Sequence, residues 1–129
     1  ICVIDSRNEI SGTGKGGKGT DLGYATDVLV CKDKAAGIEI ALRTMFPEVI
    51  AFDEIGSLSE LKSVSDCFCS GVDIITTAHI GCLQELTQRN VTYNLLKSGA
   101  VSFVALLPKI HGGRIQFISV KEVLRDRAV

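Results

Sequence analysis

Apolar runs rich in β-branched residues recur along the chain, each bounded by polar or turn-forming residues. Three of them, ICVID (1–5), VIAF (49–52) and VDIIT (72–76), have the length and composition of buried strands. A further short apolar segment is TDVLV (26–30). The pattern therefore predicts three buried strands, with one additional apolar segment between the first two.

Helical patterns occupy the stretches between these strands. Within residues 34–46, apolar side chains recur at spacings of three and four, namely at Ile38, Ala41, Leu42 and Met45. This spacing predicts an amphipathic helix, which Pro47 ends. Ser57, with Glu60 three residues later, predicts a capping box at the start of a second helix, and Gly71 marks its end.

The C-terminal part of the chain has a different pattern. Residues 83–89 predict a third helix. The runs VSFVALL (101–107) and RIQFISV (114–120) flank the turn residues HGG and predict an antiparallel hairpin, after which KEVLRDRAV forms a charged tail. Strands that alternate with helices are typical of the α/β class. We therefore predict a doubly wound, mostly parallel sheet with a C-terminal antiparallel hairpin.

Polar residues follow each of the three predicted strands. In a doubly wound sheet, the ligand crevice lies beyond the carboxyl ends of the parallel strands. The residues that this rule selects are Asp5 and Glu9 after the first strand, Asp53 and Glu54 after the second, and Thr77 and His79 after the third. We expect these residues to lie at the same edge of the sheet.

The run EVIAFDEIG (48–56) has the Walker B form, in which four apolar residues precede Asp-Glu. Asp53 in this position can hold a Mg²⁺ ion that bridges nucleotide phosphates, usually through water. Glu54 can polarise a water molecule for attack on the γ-phosphorus. The alternative is a strand that merely ends in two solvated acids, which is common in α/β proteins.

The following strand ends in TTAH (76–79), which places hydroxyl groups and an imidazole beside the acidic pair. A phosphate site requires polar groups of this kind, so Thr77 and His79 are candidate nucleotide contacts. A histidine at a strand end is more often only a hydrogen-bonding residue, and this alternative remains open for His79.

The glycine-rich stretch SGTGKGGKGT (11–20) overlaps two nucleotide-binding patterns. Gly12, Gly17 and Lys18 fit a Walker A loop, but Gly19 stands where the Mg²⁺-binding hydroxyl is required. The pattern Gly-x-Gly-x-x-Gly is also present, but no helical pattern follows it to direct a helix N-terminus at a phosphate. We predict a flexible surface loop here, with a phosphate-contacting loop as the alternative.

The length, charge and cysteine content limit the classes of protein to which the chain can belong. A chain of 129 residues suits a single domain. The net charge of −1 gives no general case for a nucleic-acid partner. No apolar run reaches the roughly 18 residues that a membrane-spanning helix needs. Five cysteines without framework spacing indicate reduced thiols and hence a cytoplasmic location.

Three strings together resemble the stage III sporulation protein AA family: VIDSRNEI, TDVLVCKDKAAGIEIALRTMFPEVIAFDEIG and VDIITTAH. That family is similar to the type II/IV secretion ATPases, which have a RecA-like core. The resemblance implies that the chain is the part of a RecA-like ATPase domain after the Walker A loop and lacks the P-loop strand. It would then be a fragment of a longer chain and would not turn over ATP alone.

The resemblance also implies roles for individual residues. Residues 5–9 resemble the acidic box of secretion ATPases, in which Glu9 matches the glutamate that helps to activate water. Asp53 and Glu54 match Walker B, and His79 matches the histidine box. The implied cofactors of the intact protein are ATP and Mg²⁺. The implied assembly is a homo-oligomeric ring that acts on membrane-embedded partner proteins during spore formation.

One departure from the family concerns arginine. Relatives tend to carry an arginine near the segment LGYATDVL, where this chain has Tyr24 and Ala25. Arg7, Lys15 and Lys18 are the candidate substitutes.

Two other classes of function stay open: a non-catalytic α/β interaction module or degenerate ATPase that docks to membrane partners, and a flavodoxin-like or receiver-type domain.

Overall fold

The computed structural model describes residues 1–12 and 19–125. The chain divides into two compact units, Ile1–His79 and Ile80–Val129. The predicted surface loop over the glycine-rich stretch, with Lys15 and Lys18, falls mostly outside the described residues. Within the described part of the chain, no helix is long and apolar enough to cross a membrane.

The first unit is built on a four-stranded parallel sheet. Its strands are β1 (Cys2–Ile4), β2 (Asp27–Leu29), β3 (Val49–Phe52) and β4 (Asp73–Ile75), in the order β2-β1-β3-β4. The segment that the sequence marked only as short and apolar is therefore the strand β2. The other three strands are each at the predicted place, and two of them, β1 and β4, are shorter than predicted by one residue at each end.

Two helices of the first unit connect these strands. They are α1 (Lys34–Thr44), between β2 and β3, and α2 (Leu58–Cys69), between β3 and β4. The two helices pack against each other, so they lie on the same face of the sheet. The predicted capping box of α2 is confirmed, because Ser57 Oγ accepts from the Glu60 amide and the Glu60 carboxylate accepts from the Ser57 amide.

The core of the first unit lies between this helical layer and the sheet. Its fully buried apolar side chains are Cys2, Ile4, Ile38, Ala41, Ile50, Val64 and Cys67. α1 approaches β1 so closely that a Cβ atom on Gly37 would lie 2.8 Å from Ile4 Cγ2. Burial raises the pKa of the Cys67 thiol to about 11, so this cysteine is a protonated core residue at neutral pH. All five cysteines are free.

The second unit contains three helices and a hairpin. Its elements are α3 (Glu85–Gln88), α4 (Asn90–Lys97), β5 (Phe103–Leu106), β6 (Gln116–Ser119) and α5 (Val120–Arg125). β5 and β6 are antiparallel and place Phe103 opposite Ser119, which confirms the predicted hairpin. The α/β class, the parallel sheet and the C-terminal antiparallel pair are thus confirmed.

Two helices of the second unit were absent from the sequence prediction. The predicted third helix is the shorter α3, and α4 follows it directly. α5 lies in the segment interpreted as a charged tail. A capping box begins it, because Ser119 Oγ accepts from the Glu122 amide at 3.3 Å and Glu122 Oε2 accepts from the Ser119 amide at 3.0 Å. Hydrogen bonds from the Ser119 hydroxyl and amide lower the pKa of Glu122.

Candidate functional site

Asp53 is the centre of a polar cluster at the carboxyl edge of the sheet. It follows β3, and groups from both neighbouring strands reach it. The Ser6 hydroxyl, after β1, donates to Asp53 Oδ2 at 3.2 Å, and the Thr76 hydroxyl, after β4, donates to the Asp53 main-chain oxygen at 2.8 Å. Because β1, β3 and β4 are parallel and adjacent, their carboxyl ends meet here.

Lys34, the first residue of α1, supplies the positive charge of this cluster. Its Nζ lies 3.0 Å from Asp53 Oδ1 and 3.3 Å from Glu60 Oε1, and it also donates to the main-chain oxygen of Glu54. The side chains of Lys34, Asp53 and Glu60 are only 14%, 21% and 12% exposed. One ammonium group therefore serves two partly buried carboxylates, which leaves an excess of negative charge.

The Asp53 carboxylate is incompletely satisfied. Its Oδ1 atom is buried and accepts no hydrogen bond, although the Lys34 ammonium is within ion-pair distance. Lys34 and Oδ1 thus form an ion pair whose geometry does not meet the directional requirement of a hydrogen bond. Oδ1 is thus paired by charge with Lys34, and another ligand can use its acceptor capacity when the ammonium moves away.

Asp5 follows β1 at the same edge and is completely buried. Its Oδ1 accepts from the Glu9 amide at 3.0 Å, and its Oδ2 accepts from the Ser11 amide and the Ser11 hydroxyl, each at 2.8 Å. Burial acts to raise the pKa of Asp5, but the hydrogen bonds from Ser11 and Glu9 outweigh it, so the pKa is lowered. Asp5 therefore holds its own turn together as a carboxylate.

The two candidate catalytic glutamates lie beside these carboxylates. Glu9 is exposed, and its main chain is fixed by the bond from its amide to Asp5. Glu54 is partly buried, and its main-chain oxygen is fixed by Lys34. Each glutamate is thus held through its backbone next to a strand end.

Thr77 and His79 extend from the end of β4 with exposed side chains. The main-chain oxygen of Thr77 accepts from the Ile55 amide at 3.2 Å, which ties this segment to the segment after β3. The hydroxyl group that contacts Asp53 belongs to Thr76, the neighbour of the predicted Thr77. The predicted residues thus lie near the cluster, and the roles assigned to them stay predictions.

Lys34 is the main site residue that the sequence analysis did not select. TDVLV predicts only a short apolar segment, so the rule for strand ends does not select the residues that follow it. With β2 recognised, Lys34 lies five residues beyond Leu29 at the same edge. Glu60 was predicted only as a capping residue, and its second role needs the tertiary contact with α1.

The cluster has donors of the kind that magnesium prefers. Mg²⁺ is usually held in proteins by one or two carboxylates, with water and substrate phosphates as its other ligands. Asp53, with a buried oxygen that accepts no hydrogen bond, fits such a ligand. Among residues 1–12 and 19–125, no group of three or more His, Cys, Asp or Glu side chains could hold a metal by itself. The residues present therefore fit a magnesium ion that arrives with a phosphate ligand.

These features define an α/β protein with an acidic site at the carboxyl edge of a parallel sheet. The sequence profile of the family described as "Sporulation stage III, protein AA" matches residues 1–124, and the chain belongs to this family. It is similar to "Stage III sporulation protein AA" of Bacillus subtilis (strain 168), with 33% identity over 87 residues, or 67% of this chain. The matched region spans 28% of that relative. No solved structure matches the chain significantly.

Proposed function

We propose that this chain forms part of an ATPase core, in which the sheet edge around Asp53 and Glu54 acts on Mg²⁺-ATP. The observation that carries the proposal is the convergence on Asp53 of Ser6, Thr76 and Lys34 from three other elements. A strand that merely ends in solvated acids would not bring a cation and a hydroxyl group to one carboxylate, with a second hydroxyl group bonded to the main chain of the same residue.

The position of each side chain sets its proposed role. Asp53 would hold a magnesium ion through water, and the ion would supply positive charge at the phosphates. Glu54, next in the chain and less constrained at its carboxylate, polarises the attacking water, with Glu9 as a second group that helps to activate it. Thr77 and His79 would contact the phosphates from the end of β4. The resemblance to secretion ATPases supports the assignments of Glu9, Asp53, Glu54 and His79, and the position of Thr77 at the end of β4 supports the assignment of Thr77.

The remaining parts of the proposed ATPase concern the longer protein. The family resemblance assigns the phosphate-binding loop to a segment outside this chain. It also assigns the work to a homo-oligomeric ring that drives assembly or transport through membrane-embedded partner proteins during spore formation. The 28% share of the B. subtilis relative that this chain matches leaves room for such segments in a full-length protein.

The test uses the full-length protein with Glu54→Gln, Asp53→Asn and a control, Glu48→Gln, which changes an exposed glutamate just before β3. Glu54→Gln should keep ATP binding and lower turnover by roughly a hundredfold, the scale of a lost general base. Asp53→Asn should weaken binding only when Mg²⁺ is present. Glu48→Gln should change neither. Turnover at the parent rate in Glu54→Gln would contradict the assigned role.

A further inference from the structure

The Lys34 ammonium lies between two carboxylates that belong to different elements. Asp53 follows the central strand β3, and Glu60 lies in the first turn of α2. We propose that Lys34 is the resident cation of Asp53 and that it withdraws to Glu60 when a magnesium-bound nucleotide occupies the site. This inference rests on the proposed function and adds a positioning residue that controls access to Asp53.

The Lys34 ammonium limits access to Asp53 Oδ1. This oxygen is buried and accepts no hydrogen bond, and the nearest cation is Lys34 Nζ at 3.0 Å. The ion pair with Lys34 offsets the cost of burying this oxygen, so a ligand that replaces the ammonium must also carry positive charge. A hydrated ion can approach Oδ1 only if the ammonium that covers it moves.

A second carboxylate, that of Glu60, can receive the Lys34 ammonium. Glu60 Oε1 already lies 3.3 Å from Nζ. The other oxygen of Glu60 is held by the amides of Gly56 and Ser57 at 2.7 and 3.1 Å. Glu60 is therefore a fixed anion, whereas lysine has a flexible four-carbon stem. A change in the lysine torsions can transfer the ammonium towards Glu60 without moving either helix.

Electrostatic repulsion sets the direction of the effect. An ammonium and a divalent cation at the same partly buried carboxylate repel each other, so they compete for Asp53. The contacts are partly exposed to solvent, which weakens the repulsion. We expect the competition to change the magnesium requirement roughly tenfold, which corresponds to about 1.4 kcal/mol.

The experiment measures binding of a fluorescent ATP analogue to the full-length protein as a function of free Mg²⁺. Lys34→Met removes the charge and keeps most of the stem. It should lower the Mg²⁺ concentration needed for half-maximal binding roughly tenfold. The matched control is Lys32→Met, which removes the same charge from an exposed position two residues earlier and should leave the requirement unchanged.

A second variant tests the inference independently, in case Lys34→Met does not fold. Glu60→Gln keeps the capping box, because glutamine also serves at this position. It removes the anion that receives Lys34, so the Mg²⁺ requirement should rise several-fold. This rise should be smaller when Lys34→Met is also present, because the two side chains then no longer interact.

The outcomes separate this inference from the proposed function. If the parent protein binds the analogue in a Mg²⁺-dependent way but Lys34→Met leaves the requirement unchanged or raises it, the inference is wrong and the ATPase proposal stands. An effect of Glu60→Gln that is equally large with and without Lys34 would also overturn it. Absence of any Mg²⁺-dependent binding in the parent would overturn both.

Discussion

The turn after β1 and the segment after β3 each begin with an aspartate at the same edge of the same sheet, yet the two carboxylates have opposite surroundings. Asp5 is completely buried and accepts three hydrogen bonds from its own turn. The Asp53 carboxylate contacts Ser6, after β1, and Lys34 of α1, and its Oδ1 accepts no hydrogen bond. A carboxylate saturated by its own backbone stabilises structure, whereas one with spare acceptor capacity can bind a ligand.

The same substitution at the two positions tests this contrast and should give the largest effect. Asp5→Asn replaces an acceptor with an amide that cannot satisfy all three donors of Glu9 and Ser11. Hydrogen bonds to charged groups contribute about 1.5–3 kcal/mol each. We expect the Glu9 and Ser11 amides to exchange roughly a hundredfold faster with solvent, as measured by hydrogen exchange.

Asp53→Asn is the matched variant in that measurement. It should change the exchange of the Glu9 and Ser11 amides little, because Lys34 keeps Glu60 as a partner and Ser6 is outside the Asp5 network. Its main effect should fall on Mg²⁺-dependent binding. If Asp53→Asn loosened the Asp5 turn as much as Asp5→Asn does, the two carboxylates would form one structural unit and the contrast would fail.

Acidification should reduce the difference between the parent and Asp5→Asn. The pKa of Asp5 is lowered from its ordinary value of 3.8 in the folded protein. Its stabilising contribution is therefore fully present above the ordinary value and is lost as the pH falls through the lower, folded pKa. We expect the hydrogen-exchange difference between the two proteins to be constant from neutral pH down to about the ordinary pKa and to shrink below it. A difference that shrank already near neutral pH would show that another group controls the turn.

The sequence predicts the local features of the Asp5 and Asp53 region better than its tertiary contacts. The strand ends and the capping box of Ser57 and Glu60 depend on local patterns, so the sequence predicts both the elements and the edge where the acids meet. The Lys34 contacts depend on the order of the strands and on the packing of α1 against α2. No local pattern contains that information.

The missed helices of the second unit have local signals that were weak rather than absent. α4 is short, with Thr92, Leu95 and Leu96 as its buried residues, and Gly99 follows it with a φ of +80°. α5 starts with the capping pair Ser119 and Glu122, inside a segment whose charges suggested a tail. A glycine stop and a capping box would have identified both helices.

The smallest expected effects concern two serines, one that donates to Asp5 and one that donates to Asp53. Ser11 Oγ donates to Asp5 at 2.8 Å in a buried position, whereas Ser6 Oγ donates to Asp53 at 3.2 Å in a partly buried one. A hydrogen bond to a buried charged group is worth more than a longer, partly solvated one, so Ser11→Ala should cost about 1.5 kcal/mol and Ser6→Ala about 0.5 kcal/mol or less. The free energy of unfolding, measured by denaturant titration, should therefore fall clearly in Ser11→Ala and little in Ser6→Ala. Equal effects would mean that Asp53 depends on its hydroxyl partner as Asp5 does, and that its spare oxygen does not distinguish it.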